Sequence, residues 1–108
     1  MSFNKHFKLT CYCSACNDPK GSTETASGSD AEAYYTVAVH KELYDKYKGR
    51  KIKIAGFDGE FEIQGFHGMK NKQLIDIYVG ECEECNCSGS ENDDYNQSDV
   101  SVDLLSED

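Results

Sequence analysis

Six cysteines stand in two clusters near the two ends of the first 87 residues. Cys11, Cys13 and Cys16 have the spacing C-x-C-x-x-C, and Cys82, Cys85 and Cys87 have the reverse, C-x-x-C-x-C. Each cluster contains a C-x-x-C pair, the knuckle that lets two thiolates reach one tetrahedral zinc ion. If the fold brings the clusters together, four thiolates clamp the two ends of the domain. A closed shell of cysteines leaves no position open for water, so such a zinc is structural rather than catalytic. Disulfides and unligated thiols remain open to the same residues. Met1–Lys8 is polar and lacks the apolar run of about 7–15 residues of a secretory signal. The chain is therefore expected to be made in the cytosol, where thiols stay reduced and metal is favoured over disulfides.

The elements that must position these residues are short and mostly extended. Phe7–Tyr12 alternates and is rich in strand formers, so it reads as a first strand; Tyr35–Val39 reads as a second, apolar enough to be buried. Between them Cys13–Ala33 is a Gly/Ser/Thr/Asp-rich loop holding the single proline, Pro19. Lys41–Lys48 predicts two turns of helix, with Leu43 and Tyr47 on one face and Gly49 as the stop. Lys51–Ala55 and Glu60–Ile63 alternate around a Gly56-Phe-Asp-Gly59 turn, a hairpin pattern. Gly65–Lys72 reads as a loop and Leu74–Val79 as the last strong strand. In that strand Ile75, Ile77 and Val79 share one face, and Leu74, Asp76 and Tyr78 share the other. Such short strands bury their edges best by closing into a small barrel.

The net charge of −9 belongs to one end of the chain. Glu81–Asp108 holds ten acidic residues and no Lys or Arg, whereas residues 1–80 carry eleven basic and ten acidic groups. A near-neutral body excludes a general phosphate-binding surface, and Lys46, Lys48, Arg50, Lys51 and Lys53 alternate around a turn as a solvated face does. Nucleic acid is thus not an expected partner. No stretch approaches the ~20 apolar residues of a membrane span. Residues 88–108 are rich in Ser, Asn, Asp and Glu and are expected to be a disordered, partner-binding tail, with Val100–Leu105 a short motif that orders on a protein partner. The domain reading is a cysteine-bounded body over 1–87 followed by that tail.

Three separated segments carry a family resemblance. Leu9-Thr-Cys-Tyr-Cys13 is followed by Cys16 and Thr25-Ala-Ser-Gly28; Thr36-Val-Ala-Val39 and His40 precede Lys51-Ile-Lys-Ile54; and Gly65-Phe-His-Gly-Met-Lys-Asn-Lys-Gln-Leu-Ile-Asp-Ile-Tyr78 closes the series. In order and spacing they resemble the three-aspartate (3D) domain of bacterial cell-wall enzymes, a double-psi β-barrel related to lytic transglycosylase A, over about residues 9–79. The resemblance implies a mainly β fold, a small six-stranded double-psi β-barrel with one short helix. Of the three aspartates that name the family, the first position is His40, the second is Gly65, and only the third, Asp76, remains. In the family that third aspartate is the catalytic acid.

The resemblance therefore implies a peptidoglycan-cleaving, endolysin-like enzyme. Its Asp76 protonates the leaving oxygen and then, as base, lets the sugar's own 6-hydroxyl close a 1,6-anhydro ring. Proximity of that hydroxyl replaces the second carboxylate of ordinary glycosidases. His40, His67, Ser27 and Tyr78 are the candidate substrate-binding residues, the two histidines standing near the missing carboxylates. Tyr12, Tyr34, Tyr35, Phe66 and Tyr78 are available to stack on sugar rings or to fill the core. A product of this kind without a secretory signal is expected to be phage-like, released by lysis or carried in a virion. The other expectation is a degenerate, zinc-stapled barrel that binds a glycan or a protein.

Overall fold

The computed structural model describes residues 6–13, 25, 26, 28, 30–80 and 97–105. Six strands, β1 (His6–Tyr12), β2 (Thr36–His40), β3 (Lys51–Ile54), β4 (Phe61–His67), β5 (Leu74–Tyr78) and β6 (Gln97–Leu104), close into a barrel, with one helix, α1 (Lys41–Tyr47), after β2. The order around the barrel is β1-β5-β2-β4-β3-β6. β1 with β5 and β2 with β4 are parallel, and the other four pairings are antiparallel. This mixed closed barrel is compatible with a double-psi barrel.

Alternation explains the closure. Every strand sends two residues at spacing i, i+2 into one core: Phe7 and Leu9, Val37 and Val39, Ile52 and Ile54, Phe61 and Ile63, Ile75 and Ile77, Val100 and Val102. Each such side chain contributes about 1.5–3 kcal/mol over leaving it in water. The helix covers one end of the core with Leu43 and Tyr44, while Tyr47 packs half-buried beside them. It ends where expected, at Gly49, whose φ of 80° suits a residue without Cβ.

Two sequence expectations are corrected. The acidic tail is not disordered throughout: residues 97–104 are β6, which closes the barrel between β1 and β3. Val100 and Val102 fill the core of their own chain rather than waiting for a partner, and the interspersed Ser and Asp residues face solvent. The 3–4 hairpin forms as predicted, with Lys51 opposite Glu62 and Ile52 opposite Phe61. Gly65–His67, however, is strand and not loop.

The extension of β4 contains a bulge. Against β2, Val37 pairs with Ile63 but Ala38 pairs with Gly65, so Gln64 is the extra residue. The slip re-aims everything after it. His67 now stands opposite His40, on the outer face that alternation assigns to Ala38.

Candidate active site around Asp76

Asp76 lies at the centre of a row of small or polar residues crossing four neighbouring strands. Thr10 of β1 and Ala38 of β2 are its direct partners, and Gly65 of β4 lies beyond Ala38. Ile75 and Ile77 on either side are fully buried in the barrel, so Asp76 points outward, as the strand alternation predicted. It is half-buried there, between Leu74 and Tyr78. On the β2 side Ala38 carries only a methyl group and Gly65 beyond it has no side chain, so the row is low there.

The carboxyl is tuned by three opposing influences. Burial is the largest and raises its pKa; the Thr10 hydroxyl, donating to Oδ1 at 2.5 Å, and the positive charge available to His67 both lower it. Burial wins, so Asp76 keeps its proton to higher pH than an ordinary carboxyl. That is the direction required of a general acid. Tyr12 lies alongside, with its ring 5.3 Å from that of Tyr78. Its hydroxyl is pushed far up by burial, then by the negative charge of Asp76 and by Tyr78, so it stays a neutral hydrogen-bonding group. Tyr78, expected as a substrate contact, is buried and serves as a wall of the site.

The two histidines meet, but each has structural work. Their rings pack edge-on at 5.7 Å. His40 is the N-cap of α1, where its Nδ1 accepts from the Glu42 N–H at 3.2 Å. Nε2–H of His67 donates to the Leu74 carbonyl of β5 at 2.8 Å, and its Nδ1 accepts from the Met69 N–H at 3.3 Å. Both bonds are made together when Nε2 carries a proton and Nδ1 does not; a second proton, the source of the charge that lowers the Asp76 pKa, gives up the Met69 bond. His67 thus crosses from β4 past the end of β2 and ties the start of β5 beside Asp76. Beyond Ala38, a hydrogen-bonded set covers the same outer face: Thr36 Oγ1 donates to Gln64 Oε1, Gln64 Nε2 to Glu62, and Tyr35 OH to Glu62.

The cysteine-bearing segments leave from adjacent strand ends. β1 and β5 run parallel with Tyr12 beside Tyr78, and the Val79 N–H donates to the Tyr12 carbonyl at 2.8 Å. Cys13 is buried and disulfide-bonded, its partner lying outside the described residues, while Cys11 carries a thiol and is half-buried. Cys16, Cys82, Cys85, Cys87 and Ser27 also lie outside the described residues. Among the described residues no group of three or more His, Cys, Asp or Glu side chains is arranged to hold a metal.

Thr10 and Tyr12 are the site residues that sequence reasoning passed over as catalytic neighbours. Their signal was available in the alternation of β1, which puts Thr10 and Tyr12 on the face opposite Phe7 and Leu9, once β1 is known to lie beside β5. No family model, curated protein or solved structure matches the chain.

Proposed function

We propose that the chain is a peptidoglycan-directed, lytic transglycosylase-like protein built on a double-psi barrel of the 3D type, with Asp76 as its acid and base. The observation that carries this is the environment of Asp76: a half-buried carboxyl whose pKa is raised by burial, open to one face and oriented by Thr10. In the reaction Asp76 gives its proton to the glycosidic oxygen as the bond to the muramic C1 breaks. The resulting carboxylate takes the proton from the 6-hydroxyl of the same sugar as its oxygen bonds to C1. No water is consumed, Asp76 ends protonated, and the product is a 1,6-anhydro sugar. The Ala38 methyl and the side-chain-free Gly65 beyond it keep that side of the carboxyl low, which suits the approach of a sugar ring. Tyr12 and Thr10 supply hydroxyls along its edge.

A second reading is favoured by the histidines. Both nitrogens of His67 and one of His40 hold backbone partners, and Gly65 brings no acid, so no second carboxylate stands in the row of Asp76 among the described residues. On that reading the barrel binds a glycan or a protein without cleaving it, with a cross-link at Cys13, or a zinc ion when the cysteines are reduced, fastening its ends. One assay separates the two. Purified murein is incubated with the protein and muropeptides are analysed by mass spectrometry. The enzyme yields 1,6-anhydro products that disappear with Asp76→Asn. No product from the wild type, or equal product from the variant, refutes catalysis.

A further inference from the structure

His40 and His67 stand in register at the C-terminal ends of β2 and β4, two residues beyond Ala38 and Gly65. Both rings are half-buried and meet edge-on, their centroids 5.7 Å apart. Each turns Nδ1 to a backbone N–H two residues further along the chain: Glu42 at 3.2 Å for His40, and Met69 at 3.3 Å for His67. A ring nitrogen that accepts carries no proton, so both rings are neutral in this arrangement. The His40 bond caps the start of α1. The His67 bond holds the start of residues 68–73, which connect β4 to β5.

Residues 68–72 of that connection are all exposed. Lys72 reaches Glu42 of α1 at 3.1 Å, but both side chains are half in solvent, where an ion pair contributes little. The far end is secured differently: the Lys8 N–H donates to the Gln73 carbonyl at 2.7 Å, and Nε2–H of His67 to the Leu74 carbonyl at 2.8 Å. Imidazole is the side chain type that gains a charge as pH falls from about 8 to about 5. The second proton goes to Nδ1 and turns an acceptor into a donor facing an N–H. The Glu42 and Met69 bonds are then lost, whereas the Leu74 bond, in which His67 already donates, survives. Two positive rings at this separation also repel each other. The surrounding charges are mixed. Lys8 of β1 stands opposite Leu74, Lys41 of α1 adjoins His40, and Lys70 and Lys72 lie in the connection. Against them stand Asp76 of β5, whose ionised form favours a charged His67, and on α1 Glu42, held by Lys72, with Asp45 one turn later.

We propose that His40 and His67 form a proton-operated latch. Neutral, it fastens the start of α1 and the β4–β5 connection at the border of the Asp76 row. Charged, it frees residues 68–73 and the first turn of α1 while β5 stays tied through Leu74. The border of the row thus loosens in acid and the strands beneath it do not. The latch works whether or not Asp76 cleaves a glycan.

The test is solvent exchange of backbone amides, read by NMR on the full chain from about pH 8 to about pH 5 and corrected for the intrinsic pH dependence of exchange. The Glu42 and Met69 amides are expected to lose about tenfold of their protection in acid, the equivalent of one hydrogen bond, while the Val39 and Ile77 amides keep theirs. His40→Asn keeps a capping acceptor that does not titrate. In that variant the Glu42 amide is expected to stay protected throughout. The pH at which the Met69 amide opens is expected to rise by about half a unit, the repulsion of two unit charges at the ring separation in water. His67→Gln keeps a donor for the Leu74 carbonyl and loses the acceptor, so its Met69 amide is expected to be open at every pH. Unchanged protection of Glu42 and Met69 in the wild type overturns the latch. So does an equal loss at Val39 and Ile77, which is general unfolding in acid, or a loss at Glu42 that persists in His40→Asn. If His67→Gln does not fold, the wild type and His40→Asn decide alone.

Discussion

Thr10→Val removes a hydroxyl and keeps the shape of the side chain, so it isolates one of the influences on Asp76. In the structure that hydroxyl donates to Asp76 Oδ1 at 2.5 Å, and both residues are half-buried. A hydrogen bond to a charged acceptor is worth about 1.5–3 kcal/mol, and the partly solvated mouth of this site sets the lower end. The bond favours the ionised form, so its loss raises the Asp76 pKa further, by about one pH unit at 1.36 kcal/mol per unit. The assay is a carbon-detected NMR titration of the Asp76 carboxyl in wild type and Thr10→Val, which requires no assumption about activity. If the chain cleaves murein, the basic limb of its pH–activity profile shifts upward by the same amount. An unchanged or lower titration midpoint in a folded Thr10→Val protein would refute the assignment of Thr10 as the group that orients and ionises Asp76.

The remaining predictions concern the same site and the closure of the barrel. A carboxyl whose folded pKa is raised favours the fold in its neutral form; that benefit is complete below the ordinary value of 3.8 and is lost as pH rises through the folded pKa. Asp76→Asn should therefore raise the melting temperature at pH 7, with the gain vanishing below about pH 3.8; equal gains at both pH values would argue against burial as the cause. Gly65→Asp returns the family's second aspartate: a Cβ there meets only the Ala38 Cβ, at 3.7 Å among the described residues, so the variant should fold and, by like-charge repulsion, raise the Asp76 titration midpoint in the same NMR assay. A chain ending at residue 87 lacks β6 and with it Val100 and Val102, each worth about 1.5–3 kcal/mol, and should lose its cooperative thermal transition by circular dichroism. Protein purified under reducing conditions and holding less than about half an equivalent of zinc by metal analysis would count against a zinc clamp at the cysteines.

The fold was largely readable where alternation is strict. β1, β2, β3 and β5 each show two apolar residues at i, i+2 bounded by turn residues, and those pairs are the core. The sixth strand was hidden by composition. Gln97–Leu104 carries only Val100, Val102 and Leu104 among polar and acidic residues, which is the signature of a solvated tail when read as an average. Read as a pattern it is the same period of two that marks β3, with aspartate and serine on the outer face. The edges of β1 and β3 require such a strand, because each would otherwise present unpaired backbone groups along its length.

The site shows a different limit. Asp76 could be placed on an outward face from its own strand, because Ile75 and Ile77 fix the orientation. Its neighbours could not, because they come from strands whose order around the barrel no local pattern states. Thr10 becomes its hydrogen-bond partner only through the parallel pairing of β1 with β5, across 66 residues of chain. His67 depends on a still smaller detail. Alternation carried through Phe61 and Ile63 without interruption would turn Gly65 and His67 toward the core; the one-residue bulge at Gln64 turns both outward, to Ala38 and His40. A single extra residue in β4 thus decides which side chains stand in the row beyond Ala38: Gly65, with no side chain, and then His67 against His40, in place of Gln64 and Phe66.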